Sequence, residues 1–164
     1  IFYSFISVAS ILGILYTIFI GNVIVVGKNG YFIKNHNENP ELSEIFSSFK
    51  GNYLNVVKIM FLMDLKTLLW LFLFIVPGLI KAYEYSMIPY LLAENPNLSA
   101  SEAFSLSKQM TTGQKMDLFV LDLSFLGWII LGLICCGIGI LFVLPYPEAT
   151  KAEVYLNLKE SVKI

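Results

Sequence analysis

Four charged side chains stand in this chain where charge is costly. Asp64 and Asp122 each lie inside a long apolar run. Lys81 and Glu84 sit three apart in the stretch WLFLFIVPGLIKAYEYSMIPYLLAENP (70–96), among tyrosines. A carboxylate in hydrocarbon costs about 2.5–3.5 kcal/mol on the insertion scale, so both aspartates should face protein or water. Each then reads in two ways, as a group hydrogen-bonded to a neighbouring helix or as part of a proton or ion path. Lys81 and Glu84 share one helix face at their spacing, with Tyr83, Met87 and Tyr90 on the other. They read as a structural ion pair, or as the lining of a polar cavity that Lys28 would join.

Other chemistries are poorly supplied. His36 is the single histidine, set between Asn35 and Asn37, and Cys135-Cys136 are adjacent, with no Cys-x-x-Cys. Zinc sites need several converging ligands, so no metal is expected. Neighbouring cysteines make no disulfide framework and read as apolar filler. No Gly-rich phosphate loop or serine nucleophile elbow occurs, so no cofactor and no catalytic site are expected. All eleven basic residues are lysines, which removes the forked arginine clamp for phosphates and carboxylates. An enzyme built on Asp and Lys alone is the variant these absences leave open. Trp70 and Trp128 read as packing groups near a membrane interface, with ligand stacking as the alternative. Pro77-Gly78, Gly137 and Gly139 read as turn residues, with a broken helix lining a transport site as the alternative.

The elements that hold these residues are set by composition. The chain has 164 residues, 57% hydrophobic and 14% charged, with mean hydropathy +0.72. Soluble domains average about 25% charged residues, which places this chain among membrane proteins. A net charge of −1 and a pI near 5.8 argue against a nucleic-acid partner. Residues 1–20 carry no charge and are long enough to span a bilayer. Gly21-Asn22 reads as a turn, and 23–37 as a short returning helix. An amphipathic turn or two at 44–50 precedes a second apolar segment, 53–76, a Pro77-Gly78 turn and a return helix over 79–93. Ser99 and Glu102 form a capping-box pattern with Leu98 placed to staple it, starting a helix that ends before Gly113. A third apolar segment, 115–134, leads through Gly137-Ile138-Gly139 to a last helix and a lysine-bearing tail. Ile1 is not an initiator methionine, so the chain reads as beginning inside a longer polypeptide.

The layout repeats. Glu-Asn-Pro-x-Leu-Ser occurs at 38–43 and 94–99, and Asp-Leu-x-x-Leu-x-Trp at 64–70 and 122–128. The second pair is offset by 122 − 64 = 58, and the same offset matches Glu44 with Glu102, Lys50 with Lys108 and Pro89 with Pro147. The expected fold is therefore all-α, a single polytopic transmembrane bundle over 1–164 built from repeated helical hairpins with amphipathic cytoplasmic helices. Its parts are a truncated first hairpin (1–37), a second unit (41–96), a third unit (99–156) and a tail (157–164). Most lysines fall on the side of the amphipathic helices and tail, which the positive-inside rule makes cytoplasmic. Residues 77–81 and 135–139 are then expected to face outward.

From Trp70 onward the chain resembles a family of small bacterial membrane proteins, mostly Gram-positive, catalogued only as a domain of unknown function. The likeness lies in PGLIKAYEYSM (77–87), ENPNLSASEAFSLSKQM (94–110), Gly113 with Lys115, LDLSFLGW (121–128), GIGILFVLPY (137–146) and Tyr155; FSSFKGNY (46–53) also fits. Lys108 stands where that family often has arginine, and Thr111-Thr112 replaces a Met-Lys-like pair. More loosely, the chain is similar to the membrane domain attached to some glycerophosphodiester phosphodiesterases. The resemblance implies a helical membrane bundle and transfers no activity.

Two functions are expected to compete. One is a non-enzymatic accessory or assembly subunit of a bacterial cell membrane, serving export, immunity or envelope homeostasis. It would pair with itself or a protein partner through the cytoplasmic helix bearing Glu102, Ser105 and Lys108. The other is a small-solute, peptide or ion transporter with a polar path along Asp64, Asp122, Lys81 and Glu84.

Overall fold

The computed structural model describes residues 2–134 and 143–162, and those residues are helical with no strand. Helix α1 (Phe2–Tyr16), a π-turn (Thr17–Gly21) and α2 (Asn22–Lys34) follow one another as one rod. This corrects the expected turn at Gly21-Asn22, and with it the short first hairpin. Gly21 keeps helical angles (φ −56, ψ −51). A glycine costs a helix about 1 kcal/mol without ending it, and a π-turn absorbs the local misfit.

A 3-10 helix (Leu42–Phe49) lies on α2. At the crossing, a Cβ on Gly27 would come 1.8 Å from the Ile45 carbonyl oxygen, so only a glycine permits this approach. Helix α3 (Tyr53–Leu73) has 21 residues, about 31 Å at 1.5 Å each. It ends at Phe74, whose backbone is extended (φ −152, ψ 129), and α4 (Ile75–Tyr85) begins at once. The reversal is thus three residues earlier than Pro77-Gly78 suggests. Proline is tolerated in a first helical turn, so Pro77 sits inside α4 rather than between helices. Gly78 lets the two arms touch, since a Cβ there would lie 2.6 Å from the Leu71 Cα.

The return expected as one helix over 79–93 is two. A bend at Ser86–Met87 separates α4 from α5 (Ile88–Glu94), which carries Pro89 in its first turn. Helix α6 (Ala100–Thr111) starts where the capping pattern puts it: Ser99 Oγ accepts from the Glu102 N–H, and the Glu102 carboxylate accepts from the Ser99 N–H. Gly113 (φ 85) turns the chain into α7 (Lys115–Ile134). Helix α8 (Pro145–Val162) closes the described chain. Cys135, Cys136, Gly137 and Gly139, and so the turn expected there, lie outside the described residues.

Two apolar clusters hold these helices together. Val23 and Val26 of α2, Val56, Ile59 and Met60 of α3, Ile88 and Leu92 of α5 and Ala103 of α6 form the first. Met87, Tyr90, Leu91, Met110, Leu118, Tyr155 and Leu158 form the second, joining α5, α6, α7 and α8. Each large buried side chain contributes on the order of 1.5–3 kcal/mol. Between 67 and 80, by contrast, no side chain is buried. Phe72 is 93% exposed and Ile75 72%. Leu12 on α1 and Leu123 and Trp128 on α7 are exposed in the same way.

Among the described residues, one helix, Ala9–Lys34, is long and apolar enough to cross a membrane. Helix α3 has the length but carries Lys58, Asp64 and Lys66. Hairpin length alone therefore does not make the polytopic bundle that the sequence suggests.

Candidate functional site

The charged residues of the helices meet in a polar seam. At its centre Glu84, 4% exposed, sits on the buried side of α4. Its Oε1 lies 2.7 Å from Lys81 Nζ and its Oε2 lies 2.7 Å from Lys115 Nζ. The residue is anchored through its backbone as well: Ser107 Oγ donates to the Glu84 carbonyl at 2.7 Å, and Thr111 Oγ1 donates to the Ser107 carbonyl at 2.9 Å. Glu84 thus ties α4 to α7 through its carboxylate and to α6 through its backbone carbonyl. Lys81 is also 5.9 Å from the Trp70 ring centre and 5.7 Å from that of Tyr85.

The two aspartates differ in their partners, an amide for Asp64 and a lysine with a tyrosine for Asp122. Asn22 Nδ2 donates to Asp64 Oδ2 at 2.6 Å, joining α2 to α3. The Tyr83 hydroxyl donates to Asp122 Oδ2 at 3.1 Å, and Lys151 Nζ lies 2.8 Å from Oδ1, joining α7 to α4 and α8. In each case the aspartate of a long helix bonds to a helix earlier in the chain.

A cavity of about 230 Å³ opens beside Asp122. Lys28, Asn29, Tyr83, Tyr90, Glu148 and Lys151 line it with Asp122, and Lys28 is 2.7 Å from Glu148. The lining of two lysines and two carboxylates is balanced in charge. Lys28 therefore joins Asp122 rather than Lys81 and Glu84, which lie outside this lining. The partners Lys115, Glu148 and Lys151 follow from helix packing across long separations. Only the Gly113/Lys115 pair gave a hint of them.

Beyond the seam, α8 docks on α5. Tyr155 is fully buried, stacks on Tyr90 at 5.2 Å and donates to Glu94 at 2.6 Å, while Lys159 contacts both oxygens of Glu94. Lys34 pairs with Glu44, and His36 Nδ1 lies 2.6 Å from Glu153. On α6, Glu102, Ser105 and Lys108 are exposed, so the expected docking face is presented to solvent. Hydrogen bonding by the Ser99 side chain, and then by its backbone N–H, holds the Glu102 carboxyl below its ordinary range.

Among the described residues no three His, Cys, Asp or Glu side chains converge as a metal site would require. No curated protein and no solved structure matches the chain. A family described as "Protein of unknown function (DUF975)" matches residues 73–162, which covers α4, α5, α6 and the described parts of α7 and α8, and so the aspartate, glutamate and lysine partners of the seam other than those on α2 and α3. The match takes in 162 − 73 + 1 = 90 of the 164 residues, and the chain belongs to that family.

Proposed function

We propose that the protein is a non-enzymatic accessory or assembly subunit of a bacterial cell membrane, anchored by Ala9–Lys34 and offering the exposed face of α6 to a partner. One observation carries this reading: Asp122, Glu84 and the lysines facing them are matched to one another where the helices meet, with Glu84 buried and the others partly exposed. A group committed to structure is spent on its neighbours. A carrier of protons or ions needs one that exchanges partners. The offset of 58 between the paired aspartates, and between the starts of the 3-10 helix at Leu42 and of α6 at Ala100, supports an internal repeat as the origin of the arrangement.

Reconstitution tests it. Purified protein in sealed vesicles is expected to give no proton or ion flux above protein-free vesicles, and Asp122→Asn is expected to fold like the parent. A flux that Asp122→Asn abolishes, in a folded protein, would promote the transporter, which the balanced cavity beside Asp122 favours as the second reading. Photo-crosslinking from Ser105 in intact cells is expected to give one discrete adduct that Lys108→Glu weakens.

A further inference from the structure

We infer that the tip of the α3/α4 hairpin dips into a single leaflet and returns, with its apolar side chains among the acyl chains of that leaflet. The inference rests on the membrane reading above and concerns the depth of one element. Residues 67–80 carry no charge and are bracketed by Lys66 and Lys81. The reversal at Phe74 is midway between them, so each arm holds about seven residues and reaches about 10 Å at 1.5 Å each, against a hydrocarbon core of about 30 Å.

The level of the brackets is fixed by their contacts. Lys66 Nζ lies 3.7 Å from the Phe104 ring centre, and Tyr85 meets the same ring edge-on at 4.9 Å. Ser107, one turn further along α6, holds the Glu84 carbonyl. The opposite face of α6 exposes Ser101, Glu102, Ser105, Lys108 and Gln109. A helix with that face belongs in water or headgroups, so Lys66, Lys81 and Glu84 lie no deeper than the headgroups beside it. Trp70, near Lys81, sits where interfacial tryptophans are found.

The tip itself has no residue suited to emerging on the far side. It reads Phe72-Leu73-Phe74-Ile75-Val76, exposed by 63% or more at every position. Part of its backbone is paired across the break. The Phe74 N–H donates to the Trp70 carbonyl at 2.9 Å, the Gly78 N–H donates to the Phe74 carbonyl at 3.0 Å, and Pro77 has no N–H to satisfy. An unpaired backbone group in hydrocarbon costs several kcal/mol, and these bonds reduce the number left to be paired at the break.

The test places a single cysteine at Phe74→Cys, with Leu73→Cys as a second site, in the full chain carrying Cys135→Ser and Cys136→Ser. Ser105→Cys serves as the aqueous reference. Sealed membrane vesicles of both orientations are treated with a membrane-impermeant maleimide after an alkaline carbonate wash. Loss of the protein in the wash would defeat the membrane reading itself. If the protein stays, both tip cysteines are expected to react about tenfold or more slowly than Ser105→Cys from either face. A fluorophore on Phe74→Cys is expected to be quenched by spin-labelled lipid placed in the leaflet on the Ser105 side. Ready reaction from the face opposite Ser105 would show a crossing hairpin and overturn the inference. Ready reaction from the Ser105 face would show a tip in water and overturn it equally.

Discussion

Glu84 accepts two lysines at once, and the three positions are therefore unequal. Removing one lysine leaves the carboxylate paired, and both lysines are partly hydrated, so Lys81→Met or Lys115→Met alone is expected to cost under about 1 kcal/mol. Glu84→Ala removes the buried carboxylate that both lysines share and is expected to cost about 3 kcal/mol. Thermal unfolding in mild detergent measures the difference; equal losses at all three positions would contradict a shared carboxylate. Asp122 is softer, because its side chain is 36% exposed. Asp122→Asn keeps an acceptor for Tyr83, whereas Asp122→Leu strands Tyr83 and Lys151, at about 1–3 kcal/mol. An Asn variant as unstable as the Leu variant would show that the charge, not the hydrogen bond, holds α7 in place.

At the scale of the helices, glycine positions and caps decide the packing. Gly27→Ala drives a methyl into the Ile45 carbonyl and is expected to destabilise the protein by at least about 1–3 kcal/mol. At Gly30→Ala the nearest atom is Ala93 Cβ at 3.4 Å, an ordinary contact, so that variant is expected to be close to neutral. Parallel melting curves check the pair. The α6 cap is open to titration. The Glu102 carboxyl is held below its ordinary value in the fold, so its contribution is present above the unfolded-state value and is lost as pH falls through the folded one. Amide exchange in the first turn of α6 is expected to quicken on acidification, and Glu102→Gln is expected to remove that dependence. Much of this level was legible beforehand. The Ser99–Glu102 spacing marks the α6 start because capping is local chemistry, and the Lys81–Glu84 pair follows from three-residue spacing. The breaks at Gly21-Asn22 and Pro77-Gly78 were misplaced for the same reason in reverse: glycine and proline permit a break, but Asn22 had a partner in Asp64, and Pro77 fits a first turn. Lys115, Glu148 and Lys151 could not be assigned from spacing, since their partners are set by helices that meet only in three dimensions.

The whole molecule divides into two zones. The packed zone holds both apolar clusters and the matched charges of the seam. The other zone, seen in the outer parts of α1, the α3/α4 tip and α7, is apolar and makes little contact with itself. Burial of apolar surface is what stabilises a helix bundle in water, and this second zone forgoes it. Lipid is the medium in which that costs nothing, and so much exposed apolar surface is otherwise an aggregation liability. Composition supports the proposed membrane setting, since 14% charge is too little to cover a soluble surface. It did not make the number of crossings legible, because apolar length counts residues and not the level at which Lys66, Lys81 and Asp122 are tied to their neighbours.

Footprinting with a photoactivatable carbene carried on lipid acyl chains, read by mass spectrometry, tests this division directly. Labelling is expected to concentrate on 9–20, 67–80 and 123–130, and to spare Val56–Met60, Ile88–Leu92 and Tyr155. Labelling spread evenly over both sets, or absent from 67–80, would contradict the account.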